Sequence, residues 1–174
     1  TIVTENMGGY TWYKNSRLNR VTSWHNKAFL DIPSEVIYIQ DEQNGKTWSL
    51  SLNPMPDENN YNVIYGFGYA KYIHKSNSIL QELEVFVPNE DSVKIGILKL
   101  SNTSPLKKKL RLVYYLKPVL GEDDIKTKGY IKLDFNRNAN LVKVQNLYEN
   151  EFKNYCFVSS SEKIRSFTGD NKFF

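Results

Sequence analysis

Ile79-Leu-Gln-Glu-Leu-Glu-Val-Phe-Val-Pro88 alternates by twos. Leu83, Val85 and Val87 fall on one face of an extended chain, and Gln81, Glu82 and Glu84 punctuate the run. Such alternation marks a half-buried β-strand. The period recurs downstream, where Leu110, Leu112, Tyr114 and Leu116 alternate with Arg111 and Lys117, and Tyr130-Ile-Lys-Leu-Asp-Phe135 repeats it. Residues 79–88, 93–102 and 109–119 are expected to form a consecutive antiparallel meander. Asp41-Glu-Gln-Asn-Gly45 reads as a hairpin turn, because Asn-Gly accepts positive φ at little cost. Breaks are expected at 54–60, 89–92 and 121–127. About ten strands at this spacing imply an all-β antiparallel β-sandwich, with Leu83, Val85, Leu110, Leu112 and Ile131 on the inner faces. Helix is scarce; only 146–153 could turn helically.

The 174 residues fit one domain. A hydrophobic content of 40% supports a real core, and 14% aromatic is high. No apolar run approaches the ~20 residues of a membrane helix, and no signal peptide is visible. The chain starts at Thr1 without Met, as a mature or excised piece would. A single cysteine excludes an internal disulfide. Cys156 sits in Tyr155-Cys-Phe-Val, where a small buried hydrophobe is expected rather than a nucleophile. A cytoplasmic location follows as the expectation. The net charge of +4 is mild. Lys107-Lys-Lys109 with Arg111 reads as a hairpin loop with charged edges, which discourage strand aggregation. A nucleic-acid footprint would be larger and organised on one face, so no nucleic-acid partner is expected.

Candidate chemistry is sparse. Glu82 and Glu84 share one strand face and could serve glycoside cleavage, which uses paired carboxylates, but a solvated face is the better expectation. Glu122-Asp-Asp124 lacks the spaced oxygen ligands of a calcium loop and reads as a solvated turn. His25 and His74 are the only histidines and lie far apart, so no zinc spacing is available. Gly66-Phe-Gly68 lacks the rest of a nucleotide fingerprint and reads as a bulge or tight strand entry. Trp48, Tyr61, Tyr65, Tyr69, Tyr72, Tyr114 and Tyr115 are expected in the core or in cross-strand pairs. No catalytic residue, metal or cofactor is assigned.

One stretch stands apart. Gly9-Tyr-Thr-Trp-Tyr-Lys-Asn-Ser-Arg-Leu-Asn-Arg-Val-Thr-Ser-Trp-His-Asn26 packs two tryptophans, two arginines and three asparagines into 18 residues. Aromatic faces stack on the C–H-rich faces of pyranose rings, while Asn and Arg supply donors in fixed geometry. Trp12, Asn15, Arg17, Asn19, Arg20, Trp24 and Asn26 are therefore the candidate carbohydrate- or interface-binding residues. The bland alternative is an edge strand whose aromatics pack inward and whose polar groups satisfy loop backbone.

The stretch also resembles a known family. Tyr10-Thr-Trp-x-x-Asn-Ser-Arg-x-Asn-Arg-x-Thr-x-Trp-x-Asn26 is similar to the opening of the non-catalytic β-sandwich of glycoside hydrolase family 94, the cellobiose phosphorylase and cyclic β-1,2-glucan synthase group. Glu35-Val-Ile-Tyr-Ile-Gln-Asp-Glu-x-x-Gly45-x-x-Trp48-Ser follows in order. So do Gly66-Phe-Gly-Tyr69, Gln81-Glu82, Phe86-Val-Pro88, Val93-Lys-Ile95, Asn102-Thr-Ser104, Leu120-Gly121, Asn146-x-Tyr148 and Thr168-Gly-Asp170. Lys27 departs from the Asp usual after the Asn.

The resemblance implies a supersandwich of the galactose mutarotase-like type. The family performs inverting phosphorolysis or transfer on β-glucosides, with its catalytic Asp in a helical barrel that this chain lacks. Its sandwich helps the enzyme dimerise, and its early loop approaches the active site. Carried over, Asn15, Arg17, Asn19, Arg20, Trp24 and Asn26 would lie in that loop. The implied partners are a β-glucan or disaccharide, the barrel domain and a second copy; a synthase parent would be membrane-associated. The family's sandwich runs on beyond Phe174, so this chain is expected to be a fragment lacking its last strands. A free-standing lectin-like module and a purely structural interaction domain are the alternatives.

Overall fold

The computed structural model describes residues 1–25, 31–148 and 155–169. Among them run fourteen strands and one helical turn: β1 (Ile2–Val3), β2 (Gly9–Tyr10), β3 (Arg20–Thr22), β4 (Glu35–Asp41), β5 (Thr47–Ser49), β6 (Tyr61–Gly66), β7 (Tyr69–Ser76), β8 (Ile79–Phe86), β9 (Ile95–Asn102), β10 (Leu110–Leu116), β11 (Pro118–Gly121), α1 (Asp124–Thr127), β12 (Ile131–Asn136), β13 (Leu141–Asn146) and β14 (Cys156–Ser159). Every strand pairing is antiparallel. The chain divides into two compact units, one of Thr1–Tyr10 with Trp24–Lys117, the other of Thr11–Ser23 with Pro118–Phe174.

In the first unit β6, β7, β8 and β9 form a four-stranded meander. Gly66 and Tyr69 close the β6–β7 hairpin. Its tip is Phe67-Gly68, with Gly68 at φ +80°, so a two-residue turn stands where a bulge or tight strand entry was expected. Ser76 and Ile79 close the next hairpin. Asn77 and Ser78 between them both take positive φ, 49° and 63°, as the type I′ turn favoured by twisted strands requires. Along β8 the odd residues Ile79, Gln81, Leu83 and Val85 are buried. They face the interior beside Ala70, Tyr72, His74 and Ser76 of β7.

A second sheet runs β10-β4-β5. Its Ile39 and Trp48 join Met7, Leu50, Ala70, Tyr72, Ile79, Leu83 and Val85 in one buried core. Two antiparallel sheets closing on a shared apolar layer make a sandwich. The Asp41–Gly45 hairpin turn forms as the sequence implied, with the Gly45 N–H donating to Asp41 O at 2.8 Å and Gly45 at φ +74°.

The expected three-strand meander is corrected in one place. β8 pairs with β9, but β10 pairs with β4, so residues 103–109 carry the chain across to the other sheet. Alternation defines a strand's faces and says nothing of its neighbour. Lys108 anchors the crossing, its Nζ 2.8 Å from Asp41 Oδ2. Lys109 and Arg111 pair with Glu42 at 3.0 and 2.7 Å. The basic cluster is thus largely neutralised, and Lys108 points inward rather than along a charged edge. Leu83 and Val85 lie in the core and Leu110 packs against it. Leu112 and Tyr114 sit opposite Ile39 and Ile37, on the core side, yet stay 48% and 44% exposed. β9 and β10 each have one paired neighbour among the described residues, so the apolar layer lies open along that side.

Asp41 is fully buried at the end of β4. Hydrogen bonds from Lys108 and from the Gln43 N–H hold its carboxyl below the usual carboxylate range against the opposing effect of burial, with Asn77 helping. A depressed folded-state pKa stabilises the fold at pH above the unfolded value of ~3.9, and that contribution is lost as pH falls through the folded value. Urea midpoints should therefore fall below about pH 4 in the wild type. Asp41→Asn should lower the neutral-pH midpoint and flatten that acid limb. An unchanged limb in the variant would show that other carboxylates carry it.

In the second unit β12, β13 and β14 form one sheet, and β11 pairs with β3. Leu120 and Val144 are buried against Val21, Ile131, Leu133 and Cys156. Ile131 therefore serves this core, not the inner face shared by Leu83 and Leu110. The register shifts between Pro118 and Gly121, where Leu120 takes φ +48°. The Asn146 carboxamide donates to Leu120 O at 3.0 Å and steadies that irregular turn. Helix appears at Asp124–Thr127, inside an expected break, because Asp123 Oδ1 accepts from the Ile125 N–H at 2.7 Å as an N-cap. Asn146 ends β13, and residues 149–153 of the expected helical turn lie outside the described residues, as does the chain end at 170–174.

Candidate functional site

Thr11 and Thr22 begin and end a loop built by its own backbone. The Thr11 N–H donates to Thr22 Oγ1 at 2.9 Å and the Val21 N–H to Thr11 O at 2.8 Å. Trp12 bridges Arg20, and the Tyr13 N–H reaches Asn19 O at 3.0 Å. Inside, Asn15 Oδ1 accepts from the N–H groups of Arg17 and Leu18, both at 2.9 Å. An Asn that hydrogen-bonds the backbone two and three residues on mimics a turn. Asn15 is therefore the loop's builder. Asn19 is half-buried and both its backbone groups close the loop.

The two arginines differ. Arg20 donates from Nε to Ser16 O at 3.3 Å and from Nη1 to Glu122 O at 3.1 Å, tying the loop to itself and to the residue after β11. Arg17 reaches Glu122 Oε1 at 3.4 Å while its side chain stays 77% exposed. Glu122 also meets Lys126 Nζ at 3.4 Å. Lys126 first, then Arg17, holds the Glu122 carboxyl below its ordinary value. Exposed ion pairs of this length contribute little, so the Arg17 guanidinium is tethered lightly and can exchange Glu122 for another acceptor.

Trp24 belongs to the other unit. There it stacks on Tyr10, ring centroids 5.0 Å apart and planes 22° apart, while still partly exposed. Of the seven candidate residues, Asn15, Arg17, Asn19, Arg20 and Trp12 share one loop. Asn26 lies outside the described residues, as does Lys27. Glu122 was missed as the loop's partner because it is over 100 positions away and nothing local marks it.

Two further acids sit against basic side chains. Glu82 meets Lys71 and Lys99 at 3.1 and 3.5 Å. His74 lies 3.2 Å from Asp57 Oδ1. Trp48 and Tyr72 are core residues, whereas Tyr65, Tyr69 and Tyr114 are exposed. No helix of the described residues is long and apolar enough to cross a membrane.

Residues 1–174 match the family model described as "Glycosyl hydrolase 94, supersandwich domain". The chain is 33% identical over 107 residues to the N,N'-diacetylchitobiose phosphorylase of Vibrio proteolyticus, covering 60% of this chain and 13% of that protein. The same enzyme of Vibrio furnissii is 32% identical over equal shares. The cyclic beta-(1,2)-glucan synthase NdvB of Rhizobium meliloti (strain 1021) is 24% identical over 171 residues, 95% of this chain and 6% of that protein. The chain spans 13% or less of the length of each of these relatives.

Proposed function

The chain belongs to the glycosyl hydrolase 94 supersandwich domain family, and from that premise we propose that it is the non-catalytic sandwich of a β-glycoside phosphorylase or cyclic glucan synthase-like glycosyltransferase. Its Thr11–Thr22 loop lends side chains to an active site that a helical barrel builds. The observation that carries this reading is the exposed Arg17 on a loop braced by Asn15 and Arg20. A braced loop presents a guanidinium at little ordering cost. Its fork suits vicinal sugar hydroxyls or a carboxylate of the barrel.

The chain alone should release no sugar 1-phosphate from cellobiose, N,N'-diacetylchitobiose or a β-1,2-glucan in phosphate buffer. Detection of that product by a coupled assay would overturn the assignment. Reading the gene past codon 174 is the direct test of the parent: a helical barrel should follow, and a stop codon there would sink the proposal.

A second copy is the other partner we propose. The edge strand β10 leaves Leu112 and Tyr114 exposed on the core-facing side, and apolar sheet edges recruit further strands. Sedimentation velocity at rising concentration should show dimers or larger species. A sharply monomeric boundary at high concentration would count against it.

A further inference from the structure

Where β6 stops, the first unit has a cleft of about 450 Å³. Tyr61–His74 is the last pair between β6 and β7, yet β7 continues to Ser76. Lys75 and Ser76 therefore have no β6 partner, and residues 59–60 turn away beside them. The Asn59 N–H donating to Asp57 Oδ1 at 2.8 Å fixes that turn. The type I′ turn at Asn77 and Ser78 supplies the far wall. The His74 ring is clamped, stacked on Tyr61 with centroids 3.7 Å apart and with Nδ1 3.0 Å from Asn60 O.

The lining is mostly carboxamide and hydroxyl. Asn59, Asn60, Asn62, Asn77 and Ser78 supply it, the Asn77 Nδ2 already donating to Asp41 Oδ2 at 2.9 Å. Ile73 and Leu80 add apolar wall, Lys75 is the single permanent charge, and no carboxylate lines it. Ser76 is 1% exposed and faces the interior with His74, where its hydroxyl lies beside the Asp57 carboxyl and helps lower it.

Carboxamides and hydroxyls both donate and accept. A surface of them, with one ammonium and the apolar side chains of Ile73 and Leu80, suits neither a metal ion nor a polyanion. It suits a neutral ligand whose every hydroxyl donates and accepts, and the volume falls in the range of small-molecule sites. We propose that this cleft is a saccharide-binding site, separate from the Arg17 loop and complete within the first unit. It rests on the family reading only for the choice of β-glycans among polyols.

The test is an amide-resolved NMR titration of the whole chain with N,N'-diacetylchitobiose and with a linear β-1,2-glucan oligosaccharide, glycerol serving as control. Saturable shifts should cluster at Asn62, Ser76, Asn77 and Ser78 with at least one of the two sugars. Asn62 is exposed, so Asn62→Ala should fold normally and weaken binding about fivefold, the worth of a net hydrogen bond. Arg17→Ala should leave it unchanged. No saturable shift in the cleft, equal shifts with glycerol, or wild-type affinity in Asn62→Ala would overturn the proposal. The Arg17 reading is judged on the kinetics of the parent enzyme, so either can fail while the other stands.

Discussion

Trp48→Ala is expected to lower the unfolding free energy by roughly 3–5 kcal/mol. Trp48 is 1% exposed, lies opposite Ile39 in register and fills the layer between the two sheets of the first unit beside Tyr72 and Leu83. Truncation removes its apolar contacts and leaves a void that a close-packed interior fills only in part. The whole stability of a domain is about 5–15 kcal/mol, so the variant should sit near the edge of folding. Trp48→Phe should cost much less. It keeps most of the volume and discards an indole N–H that has no hydrogen-bond partner among the described residues, whose burial is itself unfavourable. Leu112→Ala supplies the contrast. Leu112 has the core-facing register but lies on the open side, so it should cost under about 1 kcal/mol. Urea unfolding with a shared m-value reads all three. A Trp48→Ala loss no larger than that of Leu112→Ala would mean that the core does not lie between these sheets.

What the sequence made legible was local. Alternation marked β8, β10 and β12 because a strand with one buried face writes its period into side-chain polarity. Asn44-Gly45 marked its turn because the turn needs positive φ there. Pairing was not legible. β10 joins β4 through a crossing held by a buried lysine and aspartate, and nothing in Lys107-Lys-Lys109 distinguishes the member that turns inward. The candidate site was legible as a composition, and its residues divide between the two units. The chain leaves one unit after Tyr10 and returns at Trp24, so the two tryptophans serve different units. The same limit hid the division of labour between the arginines. Arg20 is fixed by carbonyl oxygens of Ser16 and Glu122, contacts that only the folded backbone creates. Neighbouring positions in sequence thus acquired unlike roles, one in building the loop and one in reaching out from it.

That division yields the second large effect. Arg17→Ala should leave the melting temperature almost unchanged, since an exposed side chain with a long ion pair shifts stability by under about 0.5 kcal/mol. Arg20→Ala should cost about 1–2 kcal/mol, because it removes two hydrogen bonds made by a charged donor, one exposed to Ser16 O and one partly buried to Glu122 O. In the proposed parent enzyme the order reverses. Arg17→Ala should lower kcat/KM about tenfold or more, the equivalent of ~1.4 kcal/mol of binding lost in the transition state. Arg17→Lys separates charge from shape. An ammonium keeps the charge but not the planar fork, so a bidentate contact to vicinal hydroxyls predicts that Lys rescues little, whereas long-range attraction predicts that it rescues most. Trp24→Ala belongs with the structural changes in part, because its stack on Tyr10 is worth about 0.5–1.5 kcal/mol beyond the area it covers. Thermal melts of the chain beside steady-state kinetics of the parent decide the matter. An Arg17→Ala variant that melts as far below wild type as Arg20→Ala, with unaltered kinetics, would make the whole loop a structural element and remove the ground for placing it at an active site.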